Sequence, residues 1–88
     1  MSVYVDDAFM GDWGKWTGGG HMQADDLEEL HGLALELGLK RSWFQSKPGV
    51  PEHDHYDLTK GKRWQAIAAG AIAETWREAA KRRNSGES

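Results

Sequence analysis

The residues of this chain best suited to chemistry lie in His53-Asp54-His55-Tyr56-Asp57, between the turn Pro48-Gly49-Val50-Pro51 and Leu58. His53, His55 and Asp57 recur at a spacing of two. An extended backbone projects all three from one face and gives Asp54 and Tyr56 the other. Imidazoles and carboxylates are the nitrogen and oxygen donors that divalent ions take, and they also move protons near neutral pH. An earlier group holds His21, Asp25, Glu29 and His31. The fold is expected to bring the two groups together.

Three chemistries are open to such a cluster. In the first, it binds a nucleotide or other phosphorylated small molecule. His21, His55, Arg41, Lys60 and Arg63 donate to phosphate oxygens, Tyr56 or a tryptophan packs a base, and Asp6, Asp25 and Asp57 hold ribose hydroxyls or position the histidines. In the second, His21, Asp25, His55 and Asp57 ligate a divalent metal in a phosphoester hydrolase, with Asp6 or His31 completing the shell or acting as base. The spacing matches no dedicated metal motif such as His-Glu-x-x-His. In the third, the chain is a non-catalytic module that binds another protein through Trp13 and Trp16. A purely structural account stands beside these: Asp57 or Thr59 caps one helix and Asp25 another, His21 and His55 hydrogen-bond each other's supports, and His31, beside an apolar stripe, is a hydrogen-bonded core residue. Whether the chain is an enzyme stays open at this point.

These side chains need elements to hold them. Ser2-Val3-Tyr4-Val5-Asp6 has strand composition and leaves Asp6 and Asp7 at a strand end, where α/β folds collect ligand groups. Residues 15–23 read as a second strand bent by Gly18-Gly19-Gly20, a flexible joint that lacks the lysine and helix start of a phosphate loop. Asp25 or Asp26 caps a helix carrying Leu27, Leu30, Ala34 and Leu37 and ending at Gly38, with Asp26 and Glu29 spaced as a capping box. Leu39 to Gln45 reads as a third strand, parallel to the second after a right-handed crossover. A loop from Ser46 to Glu52 follows, then a short strand or extended arm. Thr59 caps a helix from Lys60 to Ala69, packed through Trp64, Ile67 and Ala68.

Local propensity would continue that helix to Arg83. Gly70, however, sits where a helix stop belongs, and Thr75-Trp76-Arg77-Glu78 is a fresh capping box. The expectation is therefore helix, a fourth strand at Ala71 to Glu74, and a final helix from Trp76 to about Arg83. The fold class is α/β, or equally α+β. It has a small single-layer mixed sheet of four to five short strands, two to three helices and two strand-helix-strand units. Residues 1–83 make one domain and 84–88 a disordered polar tail.

Bulk properties narrow the field. With 88 residues, core area is scarce, and the five tryptophans are expected to supply it or to line a dimer interface. The absence of cysteine excludes disulfides and thiolate metal sites. No basic-then-apolar leader opens the chain and no apolar run could span a bilayer, so the expectation is a cytoplasmic protein without membrane contact. The net charge of −3 argues against a nucleic-acid partner and a general nucleic-acid-coating role. Charge is uneven: residues 1–39 hold eight acids and one base, residues 40–88 ten bases and six acids. That asymmetry suits an anionic ligand, pairing of the two halves, or a homodimer.

An ordered set of blocks also resembles the family catalogued as domain of unknown function 4031: Tyr4-Val5-Asp6, His21-Met22-Gln23-Ala24-Asp25, Glu29-Leu30-His31, Phe44-Gln45, Asp54-His55-Tyr56-Asp57, and Gly70-Ala71 followed by Arg77-Glu78. The resemblance implies a small bacterial or phage protein, in some relatives joined to a phosphohydrolase domain of HD type, with no established activity to carry over. If the chain is phage-encoded, its location is the host cytoplasm and a protein partner would be a host factor. Because the matched block begins at Asp54, the resemblance groups His53 with a loop insertion and moves the weight to His55 and Asp57. It also supports the break at Gly70.

Overall fold

The computed structural model describes residues 2–85, with the side chains of residues 50–53 and 83–85 outside the description. The elements in chain order are β1 (Val3–Val5), β2 (Gly20–Ala24), α1 (Leu27–Glu36), β3 (Gln45–Lys47), β4 (Val50–Leu58), α2 (Lys60–Ala68), β5 (Ile72–Ala73) and α3 (Trp76–Ser85). They build one mixed five-stranded sheet in the order β3-β4-β2-β1-β5, antiparallel except for the β1–β5 pair. With its three helices this is a small α+β fold.

Register sorts the side chains onto two faces. Val5 opposes Met22, and Met22 opposes Tyr56. All three are buried and meet Leu30 and Ala34 of α1 and Ala66 of α2 in the core. Tyr4 opposes Gln23, and His21 opposes Asp57, so these residues project from the other face. Arg82 of α3 reaches that second face, with its guanidinium carbon 3.8 Å from the Tyr4 ring centroid and Nη2–H donating to Gln23 Oε1.

Caps follow the sequence closely. Asp26 accepts the Glu29 N–H at 2.8 Å, and Thr59 accepts from Lys62. Thr75 and Glu78 form the reciprocal capping box, Thr75 N–H to Glu78 Oε1 and Glu78 N–H to Thr75 Oγ1. The break at Gly70 is present: its φ of 107° is left-handed backbone that ends α2 and delivers β5 beside β1.

Five expectations are corrected. Leu39 to Gln45 is not a strand. Arg41–Trp43 is a 3-10 turn, and β3 starts only at Gln45. β3 runs in the same sense as β2 but lies on the far side of β4, so the two do not pair. The loop expected at Ser46 to Glu52 is instead a hairpin turning at Pro48-Gly49, because a proline followed by glycine suits a tight reversal. The second strand begins at Gly20, since Gly14–Trp16 forms another 3-10 turn.

The fourth correction concerns tryptophan. Trp13, Trp43, Trp64 and Trp76 are each half exposed, and the core is Tyr56, Met22, Leu30, Leu58 and Val5. Trp64 stands two residues before the core-facing Ala66, about 200° around the helix, so it points away from the sheet. α2 packs through Ala66 and Ile67 instead.

The fifth concerns the glycine run. A Cβ at Gly19 would collide with the Leu58 carbonyl, and one at Gly20 with the Asp6 carbonyl. Gly19 and Gly20 therefore do not serve as a flexible joint. They let β2 slide tightly between the end of β1 and the end of β4.

Candidate metal centre and adjoining cavity

The site grows from the close approach at Gly20. Directly after it, His21 projects onto the second sheet face opposite Asp57 on β4, and the two-residue period of β4 places His55 on that face as well. His21 Nε2 lies 3.7 Å from Asp57 Oδ1, and His55 Nε2 lies 3.4 Å from the same oxygen. The two imidazoles meet edge to face at 4.8 Å between centroids. One ligand atom from each of His21, His55 and Asp57 falls within 4.8 Å of the others, an arrangement able to hold a metal ion. Tetrahedral ligands about 2.1 Å from an ion sit about 3.4 Å apart, so only small shifts separate this geometry from a filled shell.

Asp6 supports the group from below. It is 3% exposed. Its Oδ1 accepts the backbone N–H of His21 at 2.8 Å and of Ala8 at 3.0 Å, and its Oδ2 lies 3.1 Å from His21 Nδ1. Burial alone would raise its carboxyl pKa. The hydrogen bonds from the His21 ring, the His21 backbone and Ala8, together with the charge of His21, outweigh that and hold it below the ordinary value. An ionised carboxylate only accepts, so Nδ1 of His21 carries a proton toward Asp6, and Nε2 is the ring atom turned toward Asp57. Arg63 donates from Nε to the Asp6 carbonyl at 2.8 Å and fixes the end of β1 against α2.

Two further residues shape the centre. Gln45 of β3 donates from Nε2 to Asp57 Oδ2 at 2.7 Å, which turns Oδ1 toward the imidazoles. Phe9 packs edge-on against His21 at 5.1 Å and also meets Trp13 and Trp16. It is held there by hydrogen bonds of its backbone with Gly18 and Gly19. Phe9 thus links Trp13 and Trp16 to His21, and sequence reasoning missed it because its loop lacks a period. Gln45 was visible only as half of the Phe44-Gln45 block.

The remaining candidates lie elsewhere. His31 is on the helix face, its Nδ1 2.7 Å from the Tyr56 hydroxyl and its ring against Phe44. Tyr56, opposite in direction to His55 and Asp57, is a core residue at 1% exposure. Arg41 acts on His31 and Tyr56 through its charge. Asp25 accepts from the Ser2 N–H at 2.8 Å and the Tyr4 hydroxyl at 3.5 Å, tying β1 to the far end of β2. The Lys60 stem borders Gly18. The His53 side chain lies outside the described residues. Of the ten ligand-binding candidates, the structure therefore gathers His21, His55 and Asp57, with Asp6 behind them and Arg63 behind Asp6.

Asp57 also opens onto a cavity of about 490 Å³, whose walls include Lys15, Trp16, Trp43, Gln45, Thr59 and Lys62. No described helix is long and apolar enough to cross a membrane.

Neither the curated proteins nor the solved structures contain a match to this chain. The model of one family, described as a protein of unknown function (DUF4031), matches residues 3–85. That span takes in β1, the glycine-bounded β2, the Asp6–His21 support and every residue of the metal-type cluster, and on it the chain belongs to the DUF4031 family.

Proposed function

We propose that this chain is a divalent-metal-dependent phosphoester hydrolase whose metal ligands are His21, His55 and Asp57. The observation that carries the reading is the support of His21 by Asp6. A buried carboxylate that fixes one ring nitrogen and aims the other at a ligand cluster is the usual outer shell of a metal-bound histidine. Two imidazoles and one carboxylate leave coordination positions open, as catalytic sites require, and nitrogen and oxygen donors without sulfur suit Zn²⁺ or Mn²⁺.

When bound, the ion would polarise a phosphoryl oxygen and activate water. In the overall step the water oxygen forms a bond to phosphorus, and the bond from phosphorus to the ester oxygen breaks. One water proton leaves with the alcohol and the other stays on the phosphate product. Asp57 holds the charge balance at the centre, Gln45 keeps its carboxylate turned, and Asp6 keeps the His21 tautomer. Lys15 and Lys62, both on the cavity wall, favour an anionic substrate.

The test is calorimetric titration of Zn²⁺ and Mn²⁺ into metal-free protein, paired with release of nitrophenol from p-nitrophenyl phosphate and its bis ester. One ion per chain, lost in His21→Ala, His55→Ala and Asp57→Ala, with metal-dependent turnover, supports the reading. Absence of binding by the wild-type protein removes it.

A second reading, the protein-binding module, is favoured by Met10 and Trp13, 62% and 51% exposed on the same loop. Under that reading Trp13→Ala abolishes capture of a partner while Zn²⁺ has no effect on stability.

A further inference from the structure

The cavity beside Asp57 has walls that the metal chemistry alone does not need. Trp16 and Trp43 both line it, and Trp43 remains 50% exposed although it is the largest side chain of its turn. The indole of this 3-10 turn stands outside the core, yet it borders a cavity. Two cations, Lys15 and Lys62, line the same space, against the single carboxylate of Asp57. Thr59, the cap of α2, is on the wall too, so the first turn of that helix brings the positive end of its dipole to the cavity. At about 490 Å³ the space falls within the range of small-molecule sites.

We propose that this cavity is the binding subsite for a nucleoside monophosphate group. Its base stacks on the indoles of Trp43 and Trp16, and its phosphate lies toward Lys15, Lys62 and the start of α2, within reach of the metal centre through Asp57. The inference deepens the hydrolase reading by naming its substrate class. A sugar phosphate would satisfy the lysines but leave the Trp43 indole half exposed. An apolar ligand would leave the lysines uncompensated. Only a ligand that joins a flat aromatic ring to a phosphate uses both halves of the wall. Lys62 is already anchored, its ammonium donating to the Leu37 carbonyl at 2.6 Å, which holds it in place without removing its charge. Lys15 lies 5.1 Å from the Trp16 ring, so cation and indole belong to one surface.

Calorimetric titration of AMP, adenosine, ribose 5-phosphate and a 5′-phosphorylated DNA tetranucleotide into the full chain, with and without Zn²⁺, tests the inference. One AMP per chain is expected. Trp43→Ala should weaken AMP about tenfold while leaving Zn²⁺ affinity and ribose 5-phosphate binding unchanged. Lys15→Ala, a change at an exposed residue, should weaken AMP and ribose 5-phosphate together. AMP binding that depends on Trp43 in a protein that takes no Zn²⁺ would leave the subsite standing and remove the metal reading. Normal Zn²⁺ binding with no AMP binding, or AMP affinity unmoved by both substitutions, overturns the subsite. Tighter binding of the tetranucleotide than of AMP overturns its assignment to a free nucleotide.

Discussion

Asp6 touches His21 twice. Its Oδ1 accepts the His21 backbone N–H at 2.8 Å, and its Oδ2 lies 3.1 Å from His21 Nδ1. One buried carboxylate thus fixes both the position of β2 against the end of β1 and the tautomer of the ring that β2 carries. Local fold and local chemistry share one residue.

Asp6→Asn keeps the size of the side chain and places an amide that can donate where His21 Nδ1–H needs an acceptor. Zn²⁺ affinity is expected to fall about 10- to 100-fold, the usual cost of losing an outer-shell partner. Calorimetry at pH 7.5 reads this directly. Unchanged Zn²⁺ affinity in a folded Asp6→Asn variant would deny Asp6 that role.

Gln45→Ala removes the 2.7 Å hydrogen bond to Asp57 Oδ2 from a strand whose side chains are exposed. Stability should change by about 0.5 kcal/mol or less, as for most surface substitutions. Metal affinity should fall several-fold, because Asp57 then samples orientations that point Oδ1 away from the imidazoles. Equal metal affinity would show that the strand position of Asp57 alone sets its direction.

Gly19→Ala and Gly20→Ala each drive a methyl into a carbonyl, of Leu58 and Asp6 respectively. Neither backbone can yield without breaking the β2–β4 or β1–β2 ladder. A loss of about 3 kcal/mol or more is expected, which for a domain of this size lowers Tm by more than about 12 °C. Thermal melts followed by circular dichroism measure it. A drop of only a degree or two would mean that the strands can separate at little cost.

His31 gives stability a pH dependence. Burial, then the charge of Arg41, hold its pKa below the ordinary imidazole value, while Asp54 pulls it back in part. The folded chain therefore takes up its proton at lower pH than the unfolded chain. Above about pH 6.5 both states are neutral and the contribution is complete. As pH falls through that value the unfolded state gains protons first, and stability drops until the folded state is protonated as well. Urea unfolding at pH 8, 7, 6 and 5 should show the difference between wild type and His31→Gln narrowing toward acid. A constant difference across that range would show that His31 does not titrate differently on folding.

Sequence determined the parts that depend on short-range chemistry. Period-two spacing put His55 and Asp57 on one face and Tyr56 on the other, because side-chain direction alternates along a strand. The boundary residues Asp26, Thr59, Gly70 and the Thr75–Glu78 box were legible because caps act within three or four residues. Tertiary structure decided the rest. β4 could have continued the sheet beside β3 alone; pairing it with β2 as well is what sets Asp57 against His21. His31 left the cluster because the helix packs its stripe against the core face, where Tyr56 accounts for Nδ1. The tryptophans left the core because the short sheet is filled by Met22, Leu58, Leu30 and Tyr56, so the indoles fell to turns and outer helix faces. Local spacing fixes which way a side chain points from its own strand. Which strand lies next to it is set by long-range burial, and on this chain that neighbour makes the site.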